Sequence, residues 1–316
     1  MRVRFWGVRG SIPTPPTSEQ IRAKILRAFK NFSSEKDFSL SQVEEYLMHS
    51  SVVDTGFVGG NTSCIEVRAD DKILIFDMGS GLKRLGNHLL RQEKTKNGLE
   101  IHIFVSHTHW DHILGLPFFV PAFFPNNKLI FYSVHRNLRD RLETQQDYRF
   151  FPVSLESMSS KKEFVQLEHK QTISIGNVTV SNIPLYHPGG SFGFRVECGG
   201  KVFIYATDSE YKDQSREAVN QNTKFFRDAD LLVFDAQYTF EESIHKEDWG
   251  HSSALIGIDF AVDANAKRLA LFHHEPERDD FEIYEILKKS LNYKRINYPE
   301  SKLEILLATE DLELEL

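Results

Sequence analysis

The chain has 316 residues, 41% hydrophobic and 26% charged, with 25 phenylalanines, enough apolar surface for a packed core and too much for wholesale disorder. Its 45 acidic and 38 basic side chains leave a formal net charge of −7, a field that repels polyanions and argues against a general nucleic-acid binder. No window approaches the roughly 18 consecutive apolar residues of a membrane helix; a cytoplasmic location and a single domain over residues 1–316, interrupted by an insertion, are the expectations.

In chain order, Met1 to Gly7 alternates as a strand does, with no leader-like apolar stretch before it. Residues 13–58 then break the rhythm. After Pro13-Thr14-Pro15-Pro16, Ile21, Ile25, Leu26 and Phe29 share one helical face, and Val43, Tyr46 and Leu47 form a second, shorter set. An inserted helical pair at about 14–57 follows, which either caps the core or forms a lid or dimer contact.

Segments 62–68, 72–77, 100–106, 128–134, 178–185, 192–198, 201–207, 230–235 and 267–272 are short, rich in Val, Ile, Leu and Phe, and bounded by turn residues, so they read as strands. Helical spacing between them, at Leu82 to Leu90, Ala254 to Val262 and Phe281 to Leu287, predicts an α/β architecture of mixed sheets covered by helices. The only cysteines, Cys64 and Cys198, lie in apolar strand-like segments and read as reduced thiols. Glu310 to Glu315 reads as a solvated acidic end.

The chemistry concentrates after the strand Ile101 to Val105, where His107, His109, Asp111 and His112 fall within six residues. Packing rarely explains four potential ligands at this spacing. Imidazole and carboxylate suit zinc, manganese or iron, and the absence of cysteine removes the softest option. The spacing suggests two metals: His107 and His109 on one ion, with Asp111 and His112 reaching a second. Isolated histidines such as His49, His88 and His135 carry no such implication.

His107-Thr108-His109-Trp110-Asp111-His112 resembles the HxHxDH signature of the metallo-β-lactamase superfamily. The resemblance implies an αββα sandwich of two mixed sheets flanked by helices, two divalent metal ions (zinc first, manganese or iron open), and a set of further residues. Asp77 resembles the acidic residue that orders the metal loop from behind. His187 resembles the third histidine of the first metal, and Asp208 the carboxylate that bridges both. His273 resembles the last histidine of the second metal, preferred over the adjacent His274 by strand alternation. The implied sets are His107, His109, His187 and Asp208 on one ion, and Asp111, His112, Asp208 and His273 on the other, with a bridging water or hydroxide as nucleophile.

Trp249-Gly250-His251-Ser252-Ser253 resembles the Gly-His-Ser-Thr segment of the tRNA 3′-processing endonuclease branch, which implies His251 as proton donor to the leaving alkoxide, with Asp111 placed to orient or deprotonate the nucleophile. Phe5 to Pro13, Gly59 to Cys64 and Asp235 to Tyr238 resemble a bacterial cyclic-nucleotide-phosphodiesterase-like branch. Gly59 and Gly60 suit a tight turn, with Asn61 bonding locally or reaching the site; no residue is assigned to substrate binding. A phosphodiesterase acting on a small cyclic phosphodiester, a 3′,5′-cyclic nucleotide first, is therefore expected, and homodimers are common in that branch. RNA or DNA cleavage of the tRNA-processing type is the alternative, with a thioesterase or a metal-dependent binding module behind it.

Overall fold

Alternation of side chains along nearly continuous apolar strands gives each strand two buried faces, and the chain satisfies both by stacking two sheets and covering each with helices. The computed structural model of the protein describes residues 1–32, 39–91, 98–213 and 215–316. One seven-stranded sheet runs in the order β14 (Glu313–Glu315), β1 (Arg2–Gly7), β2 (Cys64–Ala69), β3 (Lys72–Phe76), β4 (Glu100–Phe104), β5 (Lys128–Ser133), β6 (Lys161–Gln166). It is antiparallel from β14 to β3 and parallel from β3 to β6.

The second sheet runs β13 (Glu304–Leu307), β12 (Arg268–Phe272), β11 (Leu231–Asp235), β10 (Lys201–Ala206), β9 (Ser191–Cys198), β8 (Val178–Leu185), β7 (Thr172–Ile175). Strands β10 to β13 are parallel and β7 to β10 antiparallel. Gly199 and Gly200, at φ 58° and 72°, close the two-residue β9–β10 hairpin in the left-handed conformation such a turn needs.

Leu74, Phe76 and Phe104 of the first sheet pack between the layers with Phe203, Tyr205, Val233 and Phe272 of the second. The Phe76 ring lies 5.3 Å from Phe203 and 5.7 Å from Tyr205. The alternate residues Ile73 and Ile75 turn outward onto Leu82, Leu85 and Leu89 of α4 (Gly81–Arg91). On the far side, Ile204, Leu232 and Phe234 meet Ile258 and Phe260 of α9 (Ala254–Asp263). Burying each such side chain contributes roughly 1.5–3 kcal/mol.

Between β1 and β2 lie α1 (Ser18–Phe32), α2 (Leu40–His49) and the short α3 (Val52–Thr55). Lys24 ties α1 to the Gly56 carbonyl and to Asp280, the first residue of α10 (Asp280–Asn297). Neither α1 nor α2 fully buries a residue, and Ile25, Leu26 and Phe29 are at least half exposed.

The acidic C-terminal segment is a correction to the sequence reading. Residues 313–315 pair with β1, and the Glu310 carboxylate accepts hydrogen bonds from the Gly60 and Asn61 amides, both at 2.7 Å, and from Arg84. Cys64 and Cys198 are unbonded, and burial pushes the Cys64 thiol well above its ordinary range. No described helix is long and apolar enough to cross a membrane.

Candidate metal centre

Asp77, His107, Asp208 and His273 follow the C-terminal ends of the parallel strands β3, β4, β10 and β12, and Asp235 is the last residue of β11. Strand ends of this kind form the ligand-binding edge of α/β sheets. Asp77, Asp208 and His273 adopt left-handed backbone angles, φ 60°, 52° and 61°, as does Ser11 at 60°. Each such residue costs of order 1–3 kcal/mol and persists only where its surroundings hold it.

The potential ligand atoms converge in two groups. One nitrogen each from His107, His109 and His187 forms the first; Asp111, His112, Asp208 and His273 form the second, and within either group the atoms lie within 4.8 Å of one another. Asp208 Oδ2 stands between them, 3.2 Å from His112 Nε2, 3.3 Å from His273 Nε2 and 3.8 Å from His107 Nε2. His187 Nε2 faces His109 Nδ1 at 3.0 Å, and His273 Nε2 faces Asp111 Oδ2 at 3.1 Å.

The outward ring nitrogens of His107, His112, His187 and His273 are occupied, which fixes the rotation of these four imidazoles and leaves the inner nitrogen to face the centre. His187 Nδ1 meets the Gly250 carbonyl at 2.8 Å, His273 Nδ1 meets Gln237 Oε1 at 3.0 Å, and His107 Nδ1 meets Ser106 Oγ at 3.1 Å. His112 Nδ1 meets Asp77 Oδ2 at 2.7 Å. Asp77 also accepts from the Ser106 amide and hydroxyl and from Tyr205, at 2.6 to 2.7 Å. It therefore acts behind the centre. Gly250, at φ 83°, must be glycine, since a Cβ there would lie 2.2 Å from His187 Nδ1.

Charge divides the two groups. Burial, the largest influence, pushes His107, His109 and His187 below the ordinary histidine range, so these rings are neutral donors. Burial would likewise lower His112 and His273, but the carboxylates facing them override it: Asp111, Asp208 and Asp77 raise His112 well above its ordinary value, and Asp208, Asp111 and Asp235 raise His273 to about 9. Burial would raise Asp111 and Asp208; the histidines opposite hold both well below the carboxylate range. Two raised histidines opposite two ionised carboxylates make this half of the centre a buried, densely charged cluster in which each charge depends on its partners.

These residues fit divalent ions. His107 Nε2 and His112 Nε2 are buried yet make no hydrogen bond, although His112 Nε2 is 3.2 Å from two carboxylates. Buried nitrogens left in that state cost free energy unless something accepts their lone pairs. The donor set is nitrogen and oxygen only, which suits zinc, manganese or iron.

His251 lies at the edge of this centre, its ring 5.1 Å from those of His187 and His273. Its Nδ1 is 2.8 Å from Asp235 Oδ2, and Asp235 also accepts from the Ser209 and Gln237 amides. The centre opens into a cleft of about 460 Å3 lined by Ser11, Thr108, His109, Trp110, Asp111, Asp208 and His251.

Several residues acquire roles that sequence reasoning did not give them. Asp235 and Gln237 orient His251 and His273, and the Ser11 amide donates to Asp111 Oδ2 at 2.8 Å. The available signal for Asp235 was its position, closing an apolar strand as Asp77 and Asp208 do. Arg9 is buried and donates to the carbonyls of Gly59, Glu275 and Arg278, clamping the loop that carries Ser11. Asn61 bonds Glu310 and Ser80 and stays out of the centre. His274 Nε2 donates to the Ala308 carbonyl, so His273 alone of that pair enters.

A family model described as "Beta-lactamase superfamily domain" matches residues 76–274, which include both groups of potential ligands and His251. Ribonuclease Z of Picrophilus torridus is 23% identical over 275 residues, covering 71% of this chain and 84% of the relative. The short form of human tRNase Z shares the fold at a TM-score of 0.62 and 17% identity, over 100% of this chain and 99% of that one. Unliganded yeast PDE1 shares it at 0.61 and 12%, again over 100% and 99%.

Proposed function

We propose phosphodiester hydrolysis as the activity of this chain, which belongs to the metallo-β-lactamase superfamily, and a small cyclic phosphodiester, a 3′,5′-cyclic nucleotide first, as its substrate. The chain is a metal-dependent hydrolase. In this reading His107, His109, His187 and Asp208 hold one divalent ion and Asp111, His112, Asp208 and His273 the other, with zinc the first candidate. Divalent ions held there would activate water for attack and offset charge building on the phosphoryl oxygens.

The chain's own residues do the rest. Asp111, kept ionised and held by the Ser11 amide, orients the attacking water. His251, with its Nδ1 proton held by Asp235, keeps Nε2 as the atom from which a proton passes to the leaving alkoxide. Its place in the cleft lining supports that role.

The choice of a small substrate rests on the composition of the cleft. Among the described residues its lining contains no Lys or Arg, whereas proteins that follow a nucleic-acid backbone run on basic tracks, and its volume is of small-molecule scale. The net charge of −7 acts in the same direction. The relatives named ribonuclease Z favour a second reading, RNA cleavage of the tRNA-processing type. The free thiols Cys64 and Cys198 suit a reducing cytoplasm.

The test is one panel with metal content measured in parallel: cAMP, cGMP, 2′,3′-cyclic nucleotides, bis(p-nitrophenyl) phosphate, a precursor tRNA and a thioester. Turnover of cyclic nucleotides with the tRNA left intact is the expected pattern. Cleavage of the tRNA with cyclic nucleotides refused would select the second reading, and failure on every phosphodiester by metal-loaded protein rejects both.

A further inference from the structure

Trp110 stands between His109 and Asp111, two of the potential ligands, yet 80% of its surface is exposed. Its backbone is fixed: it is the first residue of α5 (Trp110–Ile113), the His112 amide donates to the His109 carbonyl at 3.0 Å, and the Leu114 amide donates to the Trp110 carbonyl at 2.8 Å. The indole itself has no hydrogen bond, cation or ring partner among the described residues. Other exposed aromatics nearby are engaged. Tyr186 donates to Asp248 and lies under Lys212, and Trp249 faces Lys246.

Among the described residues Trp110 is also the one large apolar side chain in the cleft lining, where the others are Ser11, Thr108, histidines and aspartates. A rigid indole at that position offers a flat face at low conformational cost to a planar ring, and stacking of that kind tolerates any base.

We propose that Trp110 is the stacking platform for a heteroaromatic base carried by the phosphodiester substrate, which narrows the substrate class to nucleotides. This rests on the phosphodiesterase reading. Position 110 then supplies substrate selectivity, while the ligands on either side supply reactivity.

The experiment compares wild type, Trp110→Ala and Trp110→Phe on cAMP and on its base-free counterpart, 1-deoxyribose 3′,5′-cyclic phosphate, with metal content measured for each. The ratio of kcat/KM for cAMP to that for the base-free substrate is expected to fall at least fivefold in Trp110→Ala, mainly through KM, and to recover largely in Trp110→Phe. An unchanged ratio overturns the proposal. A binding readout stands apart from turnover: AMP should quench indole fluorescence in wild type and lose most of that quench in Trp110→Phe. If wild type turns over no phosphodiester, the functional reading falls, and the quench alone decides the platform; equal quenching in both proteins then defeats it.

Discussion

His251 Nδ1 lies 2.8 Å from Asp235 Oδ2, and Asp235 is fully buried, so the ring that edges the cleft is oriented from behind by a carboxylate no solvent reaches. In the proposed mechanism this pairing leaves Nε2 to carry the transferable proton. His251→Ala is expected to lower kcat by roughly 10² to 10⁴ on substrates with poor leaving groups, and much less with p-nitrophenolate, at unchanged metal content. Asp235→Asn should fall between wild type and that variant. Equal turnover of a poor-leaving-group substrate by wild type and His251→Ala would refute proton donation.

The adjacent histidines at the end of β12 should separate cleanly. His273→Ala is expected to lose metal, measured by elemental analysis of the purified protein, because its Nε2 faces Asp111 and Asp208. His274→Ala should keep its metal but lose about 1–3 kcal/mol of stability through the unpaired Ala308 carbonyl. Retention of both ions by His273→Ala would displace it from the ligand set.

Asp77 gathers four hydrogen bonds, from the Ser106 amide and hydroxyl, Tyr205 and His112. Asp77→Ala should weaken metal affinity roughly 10- to 100-fold by freeing the His112 ring. A metal titration checks this; wild-type affinity in the variant would show that the loop holds its shape unaided.

His135 gives the fold a dependence on pH. Burial, followed by nearby Arg141, lowers its pKa from the ordinary 6.5 to about 4. The unfolded chain therefore takes up a proton between about pH 6.5 and 4 that the folded chain refuses, and stability falls as pH drops through that window. The gap between melting temperatures at pH 7 and pH 5 should be smaller in His135→Gln than in wild type. An equal gap would show that His135 titrates freely.

Legibility in the sequence followed burial. The nine apolar segments all correspond to strands, while β6, β7, β13 and β14 were invisible as such, and these four are the outer strands of the two sheets. Edge strands pair on one side only and carry mixed polar residues, as Lys161–Gln166 and Glu313–Glu315 do, so the pattern that marks an interior strand is absent. The helical pair was legible as helices, but its amphipathic periodicity could not say whether that face meets this core. His107, His109, Asp111 and His112 stood out because they are adjacent in sequence. Asp235, Gln237 and Ser11 did not, because their roles arise only when three strand ends and an N-terminal loop meet.

The left-handed backbone at Ser11, Asp77, Asp208 and His273 sets a limit on how this protein can change. Glycine would relieve the strain at each position, since it reaches this region with no Cβ to clash. At Asp77, Asp208 and His273 the same replacement deletes the side chain around which the centre is arranged. Selection for robustness and selection for chemistry therefore pull in opposite directions at these three sites, while Ser11, which holds Asp111 through its backbone amide alone, remains open to both.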